Sequence, residues 1–184
     1  MKKALFLDRD GVINIDHGYV GKFEDFEFVD GIFSVIRQFE SKGFVPVIVT
    51  NQSGIARGFY SESDFHTLMD NVQREFTQQG IGTVLVYYCP HHIEGQEKKY
   101  AIACACRKPL PGMFLQAASD LGIDLQQSVM VGDSWRDILA ADSAGINQSF
   151  YLSNKHINKE QYKQLSKGHS VTQINNLSEI LATF

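Results

Sequence analysis

Long apolar runs, basic runs and paired cysteines are all missing from this sequence, and each absence removes a class of protein. No hydrophobic stretch approaches the roughly 20 residues that a membrane-spanning helix needs. Seventeen Lys and Arg stand against 21 Asp and Glu, a formal net charge of −4, and no cluster of basic residues forms a nucleic-acid footprint. Proline is scarce, at four residues, and there is no low-complexity tract; with 43% hydrophobic and 21% charged residues this excludes a disordered or collagenous chain. Cysteines number three, and Cys89, Cys104 and Cys106 lie close together. An odd count without an export signal disfavours a disulfide framework and favours metal or redox chemistry. The opening Met1–Leu7 is too short for a signal-peptide core and reads as a strand. The expectation is a cytoplasmic protein of one domain, residues 1–184, with no membrane or nucleic-acid partner, acting as a monomer.

What is present is an alternation of short β-rich runs and amphipathic helical patterns. Lys3–Leu7, Phe44–Thr50, Thr83–Tyr88, Ser128–Gly132 and Gln148–Leu152 read as strands, with Pro46 expected near the start of its strand. Ile32, Val35, Ile36 and Phe39 follow helical spacing, and Lys42-Gly43 ends that helix. Ser61-x-x-Asp64 is a capping box opening a helix whose apolar face carries Phe65, Leu68, Met69, Val72 and Phe76. Pro111 starts a helix with Phe114, Leu115, Ala118 and Leu121 on its face, and Asp133–Ala144 and Ser178–Phe184 are two more. Residues 89–107 form an irregular loop, and 153–170 are polar and uninformative. This alternation predicts an α/β, Rossmann-like parallel sheet with helices on both faces. Ligands bind such sheets beyond the carboxyl ends of the strands.

Those ends carry the chemistry-bearing residues. Asp8 and Asp10, two apart in Asp8-Arg9-Asp10-Gly11, point the same way. They can bind a hard cation, attack phosphorus and move protons, or serve only in a turn. Thr50-Asn51-Gln52-Ser53-Gly54 forms either an anion cradle or a polar turn. Arg57 either meets a second anionic group or is solvated. Gly132-Asp133-Ser134 adds a third acid, and Asp137 either orients a lysine or complements a helix dipole. Beside three acidic strand ends, Lys108 reads as a phosphate clamp. Cys89-Pro90-His91 and Cys104-Ala105-Cys106 are separated by twelve residues and supply three thiols and an imidazole, the donor set of a closed structural zinc site. His91 is the preferred ligand over His92, and the plain alternative is three unliganded cysteines.

Taken in order, Asp-x-Asp-Gly, a strand-end Thr, a Lys and Gly-Asp-x-x-x-Asp resemble the haloacid dehalogenase superfamily of phosphatases over about residues 3–150. The resemblance implies Asp8 as a nucleophile forming an aspartyl-phosphate and Asp10 as general acid/base. It implies that Thr50 and Lys108 hold the phosphoryl group. Mg²⁺ would be bound by Asp8, Asp133 and the carbonyl of Asp10. The strings DRDGVI, DHGYV, NQSGIARG, YYCPHH and CxCRKPxPGM are similar to the heptose-1,7-bisphosphate 7-phosphatase family, whose sibling, the histidinol-phosphate phosphatases, shares the zinc loop. That likeness implies hydrolysis of a sugar phosphate at C7 and zinc on Cys89, His91, Cys104 and Cys106. It also implies substrate contacts at Asp16, His17, Gly18, Tyr19, Asn51, Gln52, Ser53 and Arg107, with Arg57 as the supporting cation for a second phosphate. The short intervals from Asp8 to Thr50 and from Thr50 to Lys108 leave no room for a large cap. Histidinol-phosphate hydrolysis is the same-class alternative, and a zinc-stabilised binding module the alternative of another class. Ser134 departs from the family, which often has lysine there, and the tail from Ser153 departs from it without an assigned role.

Overall fold

The computed structural model describes residues 1–183. Its regular elements are β1 (Lys3–Leu7), α1 (Ile32–Ser41), β2 (Phe44–Asn51), α2 (Ser53–Ala56), α3 (Glu62–Gln78), β3 (Leu85–Cys89), α4 (Gly112–Leu121), β4 (Val129–Gly132), α5 (Trp135–Ala144), β5 (Gln148–Leu152), α6 (Lys159–Lys163), β6 (Ser170–Ile174) and α7 (Ser178–Thr183). The six strands form one parallel sheet in the order β3-β2-β1-β4-β5-β6.

Side-chain alternation along β1 divides the core in two, because successive strand residues face opposite sides of a sheet. Leu5 and Leu7 join one apolar cluster with Ile32, Val35, Ile36 and Phe39 of α1, with Phe65, Leu68, Val72 and Phe76 of α3, and with Ile180 of α7. Ala4 and Phe6 join the other, with Met113, Phe114 and Ala117 of α4 and with Ala140, Ala141 and Ala144 of α5. Both faces of the sheet are therefore covered, as parallel sheets require. Among the described residues, α1 and α4 are the only helices of more than one turn between β1 and β2 and between β3 and β4, so neither interval holds a cap domain. None of the described helices is long and apolar enough to cross a membrane.

Several elements differ from the expectation. Strand β3 starts at Leu85 rather than Thr83, and Pro46 sits one residue before Val47, where β3 joins β2. Helix α5 starts at Trp135; Asp133 and Ser134 precede it, because Ser134 is extended and its N–H is capped by the Asp137 carboxylate at 3.0 Å. The tail is structured: β6 pairs with all of β5, and α6 begins with a capping box at Asn158 and Gln161. The edge strand Ser-Val-Thr-Gln-Ile buries only its last residue, so it lacks the apolar run that marks a central strand. The last helix ends at Thr183, and Phe184 lies outside the described residues.

Helix α4 is rotated from the expected face. Met113, Phe114 and Ala117 are buried, whereas Leu115 is 48% exposed. The Phe114 ring packs on Phe6 of β1 at 5.0 Å, and that contact turns the next position outward. Phe114→Ala should therefore cost about 3–5 kcal/mol and Leu115→Ala less than about 0.5 kcal/mol. Urea unfolding of the two variants checks the difference.

Candidate active site

The sheet's strand order reverses between β1 and β4, and the first carboxylates appear where the chain leaves these two strands. Asp8 follows β1 and Asp133 follows β4, while Asp137 lies in the first turn of α5 and is fully buried. Their carboxylate oxygens lie within 4.8 Å of one another. Gly11, at φ +88°, lets the loop after β1 pass close by, and a Cβ there would run into the Asp133 carboxylate. The buried Lys108 compensates part of this charge. Its Nζ is 2.9 Å from Asp8 Oδ1 and 2.7 Å from Asp137 Oδ1, and it donates to the Val49 carbonyl at 2.8 Å. Asp137 thus does both things that its position allowed: it orients the lysine and caps the helix.

One ammonium does not balance three carboxylates. Burial, followed by the charge of Asp137, pushes the Asp8 carboxyl up to about 8 against the pull of Lys108. The same two causes push Asp133 up to about 7. Burial opposes the charge on Lys108, yet Asp137 and Asp8 together raise its pKa. The cluster of hard oxygen donors is of the kind that Mg²⁺ prefers.

Asp10 is engaged differently. Its carboxylate accepts two bonds from Arg9, at 2.7 and 3.1 Å, one from Asn14 Nδ2 at 3.1 Å and one from Gln52 Nε2 at 3.0 Å. Arg9 is completely buried and also donates to the Val20 carbonyl. Side chains alternate at the strand end, so the residue between the two acids points inward.

A cavity of about 510 Å³ lies above these groups. Of the expected residues it is lined by Asp8, Asp10, Asp16, Gly18, Tyr19, Asn51, Gln52, Ser53, Arg57, Arg107, Lys108 and Asp133, with Ser134 beside them. His17 is exposed, pairs with Glu27 at 3.1 Å and lines a neighbouring cavity instead. Thr50 is fully buried and accepts from Gln52 Nε2 at 2.8 Å. Two of the amides are occupied by the protein itself. Asn51 bonds both the N–H and the carbonyl of Lys108, and Gln52 bonds Asp10, Thr50 and Tyr60.

The rim is cationic. Arg57 and Arg107 face the cavity together with Arg136 and His92. Arg57 Nη2 lies 3.2 Å from His92 Nε2, and the buried Arg57 Nε has no acceptor. Arg107 Nη1 reaches the His91 carbonyl at 3.3 Å. Burial and the neighbouring Arg107 and Arg57 push His92 below the usual histidine value. Sequence reasoning missed Tyr60 and Arg136. A cation in the first turn of a helix opposes the helix dipole, and that misfit was the available signal for Arg136.

Below Arg107, Cys89, His91, Cys104 and Cys106 bring one ligand atom each into a group within 4.8 Å. The Sγ–Sγ distances from Cys89 are 3.5 and 3.0 Å, and His91 Nδ1 lies 3.4 Å from Cys106 Sγ and 3.8 Å from Cys89 Sγ. A tetrahedron with Zn–S bonds of about 2.3 Å has S–S edges of about 3.8 Å, so the set needs little expansion to fit. Burial pushes the Cys89 thiol up, so a metal must displace its proton. His92 bonds elsewhere and stays outside the group.

Comparison with known proteins matches this arrangement. An HAD-hydrolase-like family model covers residues 105–180. The D-glycero-beta-D-manno-heptose-1,7-bisphosphate 7-phosphatase of Haemophilus ducreyi is 52% identical over 79% of this chain and 80% of its own. The chain belongs to this phosphatase family. It is a phosphoric monoester hydrolase of the HAD-like class. The Pasteurella multocida member is 46% identical over 89% of both chains. Among solved structures, the D,D-heptose 1,7-bisphosphate phosphatase of B. bronchiseptica, complexed with magnesium and phosphate, superposes with a TM-score of 0.78. It is 30% identical and covers 99% of each chain. A putative HAD-like phosphatase of Mesorhizobium loti gives 0.86 at 32% identity, over 98% of this chain and 83% of that one.

The raised carboxyls have a consequence for stability. Both folded values lie above the unfolded value of about 3.9. The stability they contribute is therefore full below that value and lost as pH rises through about 7 and 8. Metal-free protein should show a falling Tm between pH 5 and 8.5, and added Mg²⁺ should raise Tm more at pH 8 than at pH 6. Thermal melts in EDTA and in Mg²⁺ check both expectations.

Proposed function

We propose that this enzyme removes the C7 phosphate of D-glycero-D-manno-heptose 1,7-bisphosphate and keeps the phosphate at C1. The observation that carries the reading is the separation of two charged zones in one cavity. Asp8, Asp133 and Lys108 lie at its floor, and Arg57, Arg107 and Arg136 at its rim. A bisphosphate has one dianion for each zone, and the names of the relatives support that substrate.

Asp8 attacks phosphorus through a carboxylate oxygen, the bond to the sugar oxygen breaks, and Asp10 gives that oxygen its proton. Water then attacks the aspartyl-phosphate and Asp10 takes its proton, which releases phosphate and restores both carboxyl groups. Lys108, fixed by Asp137 and by Asn51 through its main chain, carries positive charge to the reacting group, and the Thr50 hydroxyl supports the same end. Asp8, Asp133 and the main-chain carbonyl of Asp10 would hold Mg²⁺, which supplies charge neutralisation where anion meets anion. Arg107, supported by Arg57, grips the remaining phosphate with a planar fork suited to bidentate contact, and this remote grip aligns the reacting end. Asp16, Gly18, Tyr19 and Ser53 line the space between for the sugar. Cys89, His91, Cys104 and Cys106 would hold a structural Zn²⁺ that stiffens the loop bearing Arg107 and Lys108.

Asp8→Asn should lower turnover at least about 10³-fold while leaving the fold intact, read by phosphate release and circular dichroism. Arg107→Ala should harm bisphosphate hydrolysis at least about tenfold more than hydrolysis of a simple monophosphate. A wild-type preference for histidinol phosphate, or an equal effect of Arg107→Ala on both substrates, overturns the substrate assignment. Cys106→Ser should abolish stoichiometric zinc in freshly purified protein and lower Tm, as elemental analysis and melting will show.

A further inference from the structure

Tyr60 lies outside every motif of the sequence, yet it closes a chain of hydrogen bonds that ends on Asp10. Its hydroxyl donates to Gln52 Oε1 at 2.6 Å, and Gln52 Nε2 donates to Asp10 Oδ2 at 3.0 Å and to Thr50 Oγ1 at 2.8 Å. Gln52 is 1% exposed, so its amide depends on these partners. An amide can be turned end for end at almost no cost unless its partners discriminate. Here they do: a carboxylate only accepts, so Nε2 must face Asp10, and a protonated phenol at the other end offers Oε1 its donor. Burial holds that phenol up at about 12, so it remains a donor throughout the neutral range. The ring is fixed as well, because it lies against Gly54 so closely that a Cβ there would overlap it.

We infer that Tyr60 and Gln52 are positioning residues that aim the Asp10 carboxyl at the leaving oxygen. Arg9 and Asn14 grip the same carboxylate, but Arg9 does so from the core, between Phe26 and Phe65, where it also ties down Val20. Gln52 is the contact made from the cavity side. It joins Asp10 to Thr50, and so sets one expected proton carrier relative to one expected phosphoryl contact. Without the Tyr60 hydroxyl, Oε1 is left a buried acceptor without a donor, and the amide loses the bond that anchors its oxygen end. The inference rests on the proposed role of Asp10 as the acid.

Leaving-group dependence separates aim from bulk structure. Cleaving an alkyl phosphate needs a proton on the departing oxygen, whereas p-nitrophenolate departs without one. The parameter to read is kcat/KM, which reports the steps up to formation of the phosphoenzyme. Tyr60→Phe, which keeps the ring, should lower kcat/KM for the heptose bisphosphate about tenfold, the size expected for a misplaced acid. It should change that for p-nitrophenyl phosphate by less than about twofold. Gln52→Met should likewise lose more on the heptose bisphosphate than on p-nitrophenyl phosphate. Equal losses on both substrates, or no loss on either in both Tyr60→Phe and Gln52→Met, overturn the inference. Asp10→Asn is the reference. If it too loses activity equally on both substrates, the acid role of Asp10 fails; if it is selective and the Tyr60 and Gln52 variants are not, only the positioning role fails.

Discussion

Three carboxylates crowd the carboxyl ends of β1 and β4, and a single buried ammonium stands among them. Lys108 touches Asp8 and Asp137 and bonds the main chain of β2, so it joins three parts of the sheet's upper edge at one point. Removing one partner of such a buried set leaves an uncompensated charge, which costs about 3–5 kcal/mol. Much of the neighbouring structure serves to hold this lysine. Asn51 fixes its peptide from both sides, and Asp137 is itself fixed by the N-terminus of α5. The remaining negative charge is what makes the floor of the cavity a place for a cation and, with it, a phosphate.

The sequence displayed this floor more clearly than its surroundings. Asp8, Asp133 and Lys108 follow apolar runs or a loop of distinctive composition, and a parallel sheet dictates that strand ends converge. Local patterns also identified α1 and α3, where apolar spacing and a capping box coincide. The edge of the sheet was hidden because β6 has no buried face of its own to reveal it. Rotation of α4 was hidden for another reason. Phe114 and Leu115 are both apolar, and only the ring of Phe6, a hundred residues earlier, decides which of them turns inward.

Within the site, what the sequence concealed is which side chains act through others. Asn51 and Gln52 sit in a polar run that reads as a cradle for a ligand, yet their amides are taken up by Lys108, Asp10, Thr50 and Tyr60. Arg9, between two acids, drew no assignment from the sequence and is the largest fully buried side chain among the described residues. Hydrogen-bond partners distant in sequence determine these roles, and composition carries no record of them.

The sheet delivers the acids, but their counter-charge arrives on a segment without any ladder of its own. Lys108 lies two residues past Cys106, and between Cys89 and α4 the chain has no regular element to hold it in place. Ordering so long a connection costs chain entropy that turns alone do not return. With the proposed metal bound, the thiol–imidazole group and the lysine would depend on each other: the first would close the loop, and the second is where closure relieves repulsion at the strand ends. Cooperativity of unfolding should consequently run from the cysteine loop straight into the centre of the sheet, so that these two regions open as one unit.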